Sequence, residues 1–176
     1  MRWWLLAVLA LAGCGAETGA GMSATVPTPT PSVQIDFDEA AAVAAKEGTP
    51  TLLQFTRGQA PPPVWLASVY TQAGKVTDLR IDAESGQITA RQDEGADDAA
   101  EAKAELSAVK LSMTQAVEKA RQAVPGKPVV TAQLEQDDGR TLWEVELIGE
   151  DRVVGEVKVD AVTGAVVTEP SATPGG

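Results

Sequence analysis

Residues 156–164 read Glu156-Val157-Lys158-Val159-Asp160-Ala161-Val162-Thr163-Gly164, and residues 78–86 read Asp78-Leu79-Arg80-Ile81-Asp82-Ala83-Glu84-Ser85-Gly86. The two stretches lie 78 positions apart and match in chemistry at almost every step. Each is a short alternating run that stops at Asp and closes on Gly. Alternation of apolar and polar residues is the period of a half-buried strand. The Asp can accept hydrogen bonds from backbone N–H groups two or three residues on, and the Gly supplies a positive φ. Each stretch therefore reads as a strand running into a tight hairpin, with Asp82, Gly86, Asp160 and Gly164 as turn residues.

The same spacing extends outward. Trp65 falls on Trp143 and Val76 on Val154. Internal periodicity of this kind means two copies of one structural unit. Thr141 to Ile148 alternates, with Trp143, Val145 and Leu147 on one side and Glu144 and Glu146 on the other. Val129 to Glu135 reads as the strand before it, and Ala165 to Thr168 as a short fourth. The first copy supplies Leu52 to Thr56, Val64 to Tyr70, Asp78 to Ala83 and Gln87 to Arg91. Each copy opens with a capped helix. Asp36 with Glu39 and Ser112 with Gln115 have capping-box spacing. Phe37, Ala40, Ala41 and Ala44 trace one face of the first helix; Met113, Ala116, Val117 and Ala120 trace the same face of the second. The helix offset is 76, which implies two residues inserted near Pro125-Gly126.

These patterns define an α+β fold: two tandem repeats, each a helix packed on an antiparallel β-meander of three to four strands. Short connections favour antiparallel neighbours, and an apolar sheet face needs the helix as its cover. Repeat 1 spans residues 34–92 and repeat 2 spans 111–168. Residues 93–110 form an acidic, alanine-rich linker, either coil or exposed helix. Residues 169–176 read as a disordered tail.

The N-terminus reads as an address. Met1-Arg2 is followed by an apolar run from Trp3 to Leu11 and then by Leu11-Ala12-Gly13-Cys14. A basic start, a short apolar core and small residues before a cut site make a secretory signal. The last four residues resemble a bacterial lipobox, which implies a signal peptide over residues 1–13 and lipidation at Cys14. Cys14 is the chain's single cysteine, so no internal disulfide is available. Residues 14–33 are rich in Pro and Thr and read as a tether. At about 3.1 Å per residue it reaches up to about 60 Å. The expected location is extracytoplasmic, lipid-anchored to the bacterial cell membrane.

Charge narrows the partners. The chain has 14 Lys+Arg, 25 Asp+Glu and no His, for a net charge of −11. Such a chain repels nucleic acid and anionic lipid. Absence of His removes the usual general base and the commonest metal ligand. No nucleophile elbow, zinc-protease helix, P-loop or dinucleotide fingerprint occurs. The sequence thus points to no enzyme, no cofactor and no metal site. The outward carboxylates Glu144, Glu146, Glu156 and Asp160 are a candidate partner surface, since they give one sheet face a negative field.

The capped helix, the Trp143-Glu144-Val145 strand and the Val157-to-Gly164 hairpin resemble the PepSY domain, and the first copy resembles it more distantly. PepSY domains occur in propeptides of secreted thermolysin-like metallopeptidases and in bacterial envelope proteins. The resemblance implies a non-catalytic lipoprotein that binds or regulates another envelope protein, with inhibition of a secreted peptidase as the leading form. The alternative is a cation- or small-ligand-binding envelope lipoprotein.

Overall fold

The computed structural model describes residues 35–56, 62–149 and 154–167. The signal peptide, Cys14, the tether and the tail read from the sequence lie outside the described residues. The elements in chain order are α1 (Phe37–Ala44), β1 (Thr49–Thr56), β2 (Val64–Tyr70), β3 (Val76–Asp82), β4 (Ile88–Asp93), α2 (Ala96–Ala108), α3 (Met113–Ala123), β5 (Val129–Asp137), β6 (Arg140–Ile148) and β7 (Val154–Asp160). The mixed α+β fold expected from the sequence is what the structure shows, with helices packed on an antiparallel meander.

The strands form one sheet rather than two. Its order is β4-β3-β2-β1-β5-β6-β7, antiparallel throughout. The two halves meet through their first strands, where Leu52, Leu53 and Gln54 pair with Gln133, Ala132 and Thr131. Corresponding positions occupy corresponding registers. Val64 opposes Asp82 as Leu142 opposes Asp160, and Trp65 opposes Ile81 as Trp143 opposes Val159. Register shifts also recur, around Thr51 on β1 and Val130 on β5. Phe55 opposes Trp65 and Leu134 opposes Trp143, so the first strands are offset by 79, not 78. Three residues are therefore gained after α3, one more than the sequence spacing suggested. One is lost again between β5 and β6, which are joined by a two-residue turn. In that turn Asp138 and Gly139 have φ of 49° and 77°, the primed type whose twist suits a hairpin.

Small side chains let the helices lie close on the sheet. Ala40, Ala41 and Ala44 of α1 and Ala116, Val117 and Ala120 of α3 are buried against it. Both helices begin with the reciprocal capping box that their sequences foretell: Asp36 with Glu39, and Ser112 with Gln115. Their apolar faces and one face of the sheet form a single core centred on Leu53, Trp65, Leu79, Trp143, Val145 and Val157. Residues 96–108, left open as helix or coil, are the helix α2. Asp98 at its N-terminus accepts from the Gly95 N–H at 3.1 Å. Its one fully buried residue is Ala102, and Leu106 packs against the core.

Of the fourth strand expected over 165–168, the described part, residues 165–167, holds one bridge, Val166 to Val159. The Val167 N–H donates to the Lys158 C=O at 2.8 Å and extends the contact by one bond.

Both indoles tie their halves together in the same way. Trp65 Nε1 donates to the Ile35 carbonyl at 3.3 Å, and Trp143 Nε1 donates to the Leu111 carbonyl at 2.9 Å. Ile35 N–H in turn donates to Ala83 C=O, and Leu111 N–H to Ala161 C=O. The chain leading into each helix is thus pinned between its tryptophan and its hairpin.

Candidate partner-binding face

The sheet face away from the helices carries the acidic residues singled out in the sequence. On β5, β6 and β7 the register sets Gln133 opposite Glu144 and Glu144 opposite Lys158. The next row sets Thr131 opposite Glu146 and Glu146 opposite Glu156. Strand alternation alone places Glu144, Glu146, Glu156 and Lys158 on one face.

Glu144 is largely enclosed, with 14% of its side chain exposed. Gln133 Nε2 donates both to Glu144 Oε1, at 3.1 Å, and to Glu135 Oε1, at 2.7 Å. Burial, followed by the charge of Glu135 and a hydrogen bond with it, raises the Glu144 pKa above the ordinary glutamate value. Lys158 opposes that shift. Its Nζ stands 3.5 Å from Asp137, 3.6 Å from Glu144 and 3.7 Å from Glu156. Burial pulls the lysine down, but Glu156, Asp137 and Glu144 outweigh it, so its pKa lies above the usual value. One cation is thus shared among three carboxylates, with Glu135 alongside. The face keeps a net negative field at neutral pH, and such a field favours a basic partner.

Asp82 and Asp160 belong to a different piece of chemistry. Asp82 Oδ1 accepts from the Ser85 hydroxyl at 2.7 Å, the Ser85 N–H at 2.8 Å and the Glu84 N–H at 3.1 Å. Asp160 Oδ1 accepts from the Thr163 N–H at 2.8 Å and the Val162 N–H at 3.0 Å. These bonds favour the ionised form. The Ser85 hydroxyl contributes most to lowering the Asp82 pKa, and the Thr163 N–H most to lowering that of Asp160. Asp160, read as outward from strand alternation, therefore has its carboxylate engaged in its own turn. Gly86 and Gly164 close these turns at φ of 70° and 75°. A Cβ on Gly164 would also stand 3.2 Å from Leu111 Cδ2.

Alternation in the sequence puts Glu144, Glu146, Glu156 and Lys158 outward, but sequence reasoning missed Gln133, Glu135 and Asp137 as their neighbours. The signal was present. Asp138-Gly139 between two alternating runs specifies a two-residue hairpin, and that turn fixes which residues face each other. A second feature went unread: a cavity of about 370 Å³ beside the start of α1, lined by Phe37, Phe55, Trp65, Val129 and Ile148 with Asp36 and Arg121 at its polar end. Among the described residues no group of three or more His, Cys, Asp or Glu side chains is placed to hold a metal ion. No described helix is long and apolar enough to cross a membrane.

The helix-on-meander half that carries this face is of a known class. Residues 110–169 match the family described as the peptidase propeptide and YPEB domain, and they are a PepSY domain. Among curated proteins, none matches the chain. Among solved structures, the chain is similar to a candidate lipoprotein from Clostridium difficile 630, at 18% identity and a TM-score of 0.46, covering 78% of this chain and 93% of that one. It is also similar to the YpmB protein from Bacillus subtilis, at 16% identity and a TM-score of 0.32, covering 75% of this chain and 94% of that one.

Proposed function

We propose that this protein is a non-catalytic, membrane-tethered envelope lipoprotein whose folded part binds and regulates another envelope or secreted protein. In this reading Cys14 carries the lipid and residues 15–33 are the spacer. The half formed by residues 35–93 is a second, diverged PepSY copy. The observation that carries the reading is the PepSY domain at residues 110–169, because the same segment presents the acidic face around Glu144 and Lys158. The family description names peptidase propeptides, so a secreted peptidase is the first partner to test. The face suits a protein better than a free cation: Lys158 Nζ already stands among the carboxylates that a cation would need.

The test uses residues 14–176 with Cys14→Ser, the chain without signal peptide or lipid, titrated into purified secreted thermolysin-like metallopeptidases while the initial rate is followed. The expected result is slowing that saturates with added chain and weakens as salt is raised. Unchanged rates, together with heat released on titrating calcium into the chain, would favour the cation-binding alternative.

A further inference from the structure

The cavity of about 370 Å³ beside α1 lies where the first strands of the two halves part. Pairing of β1 with β5 runs from Leu52–Gln133 to Gln54–Thr131, and the next residues on each strand, Phe55 and Val130, both line the cavity. Its other walls include Phe37 and Trp65 from the first half and Ile148 from the second. The three rings form one cluster. Phe37 stands edge-on to Trp65 with centroids 5.8 Å apart, and Phe55 lies 5.1 Å from Trp65. The polar end is already neutralised: Arg121 pairs with Asp38 at 2.9 Å, and Asp36 Oδ1 accepts from the Glu39 N–H. An uncharged, apolar occupant suits such walls.

Correspondence between the halves gives this cavity a twin. Phe37, Phe55, Trp65 and Ile148 match Met113, Leu134, Trp143 and Tyr70 by register and by place in their helices. At the twin site the chain closes over itself. The helix α2, which leads into α3, lies against β2 and β5. Ala99 and Lys103 line a hollow with Tyr70, Leu106 packs on the core, and Leu134 is buried. Phe55, the match of Leu134, is only half-buried.

In the first half, the place of α2 in the chain belongs to the residues that lead into α1. Both helices are entered alike: Ile35 N–H donates to Ala83 C=O as Leu111 N–H does to Ala161 C=O. Ile35 C=O accepts from Trp65 Nε1, and the next residue, Asp36, lines the cavity. The chain therefore enters α1 at the cavity's rim. Shortly before that point stand Val26-Pro27-Thr28-Pro29-Thr30-Pro31-Ser32-Val33, uncharged and with Pro at alternate positions. Such a sequence favours polyproline II, the conformation that aromatic-lined grooves recognise. From Pro31 to Ile35 is a span of about 12 Å in that conformation.

We propose that this cavity is a groove for polyproline II and that its occupant is the chain's own segment 26–33, laid across Phe55 and Trp65. The acidic sheet face has no part in this contact, so the proposal goes beyond the reading above. With Cys14 lipidated, docking shortens the free spacer to residues 15–25, about 35 Å when extended. A proline-rich strand of a partner would compete with the segment for the groove.

The experiment uses residues 14–176 with Cys14→Ser, in which Trp65 and Trp143 are the only tryptophans, so that NMR shows two indole N–H signals. Nuclear Overhauser contacts are expected from the rings of Pro27, Pro29 and Pro31 to those of Phe55 and Trp65. Replacing the three prolines together by Gly keeps the segment's length. It should move the Trp65 indole signal and leave that of Trp143 in place. A synthetic peptide of residues 26–33, followed by the same signal, should bind this variant about tenfold more tightly than the parent, where the tethered segment competes at high effective concentration. Ile148→Lys, which sets a charge on the wall, should abolish that binding.

Absence of the proline contacts, with a Trp65 indole indifferent to the glycine substitutions, would overturn the proposal. Contacts to Phe55 and Trp65 from residues 57–61 in their place would also overturn it, by making those residues the cover. Equal binding of the peptide to the parent and the glycine variant would remove segment 26–33 as the occupant.

Discussion

Leu53 on β1 lies directly opposite Ala132 on β5, and by the 79-residue offset of the first strands the two occupy the same place in their halves. A pseudo-twofold axis therefore runs between them. Gln54 opposes Thr131 and Leu52 opposes Gln133, so the pairing reads the same from either side. The axis explains why one sheet results. Each half has its helix over its own meander, and the first strand of each half, paired on one side within its own half, pairs on the other side with the first strand of the other half.

The tryptophans carry much of the stability of their halves. Trp143 is 1% exposed and Trp65 3% exposed. Trp65 also packs on Phe37 edge-to-face, with centroids 5.8 Å apart, and on Phe55 at 5.1 Å. Truncating either tryptophan to Ala should cost about 3–5 kcal/mol. Urea unfolding with tryptophan fluorescence and far-UV circular dichroism would check it, and a cost under about 1 kcal/mol would be inconsistent with burial of this extent.

Two glycines separate strain from crowding. Gly126 and Gly164 have φ of 78° and 75°, but a Cβ on Gly126 meets nothing within 4 Å, whereas one on Gly164 meets Leu111 at 3.2 Å. Gly126→Ala should cost about 1–2 kcal/mol, the left-handed backbone term alone. Gly164→Ala should cost more, and a Leu111→Ala background should narrow the difference. Chemical denaturation of the two glycine variants, in the wild-type and Leu111→Ala backgrounds and against each background alone, gives the comparison.

The carboxylates should split in pH behaviour. Glu144 has a raised folded pKa, so the folded state holds its proton more tightly than the unfolded chain does, and this contribution to stability falls as pH rises through that window. Asp82 and Asp160 are lowered, so their contribution is present above the ordinary aspartate value and is lost as pH falls through their folded values. Carbon-detected NMR titration should place Glu144 above, and the two aspartates below, their usual ranges. The stability gap between the wild type and Asp160→Asn should close on acidification.

Lipidation has a direct check. Cys14→Ser should leave the chain without lipid and unprocessed at the lipoprotein cleavage site, which loss of fatty-acid labelling and a slower-migrating band would show. A processed variant that remains membrane-bound would remove the anchor from the account.

Much of the fold was legible because its signals are local. Capping boxes at Asp36 and Ser112, alternation through Trp143 to Leu147 and the Asp-to-Gly hairpins are each read within a few residues. The union of the halves was not legible, because pairing of Leu53 with Ala132 joins segments far apart in the chain with no turn to fix the register. α2 was ambiguous for a related reason: with Ala102 as its one fully buried residue it has almost no apolar stripe to read. At the candidate face, alternation gave the outward carboxylates. The place of Lys158 among them depended on the β6–β7 register and so came only with the sheet.

The central claim, that the β5–β7 face binds a protein partner, is most directly tested by charge reversal. Residues 14–176 with Cys14→Ser, and the same chain with Glu144→Lys and Glu156→Lys, are immobilised and offered a secreted and envelope extract at low salt. The account predicts that the first retains a basic protein that elutes with salt, and that the second, folded to the same circular dichroism spectrum, does not. Equal retention by both chains, or by neither, would contradict it.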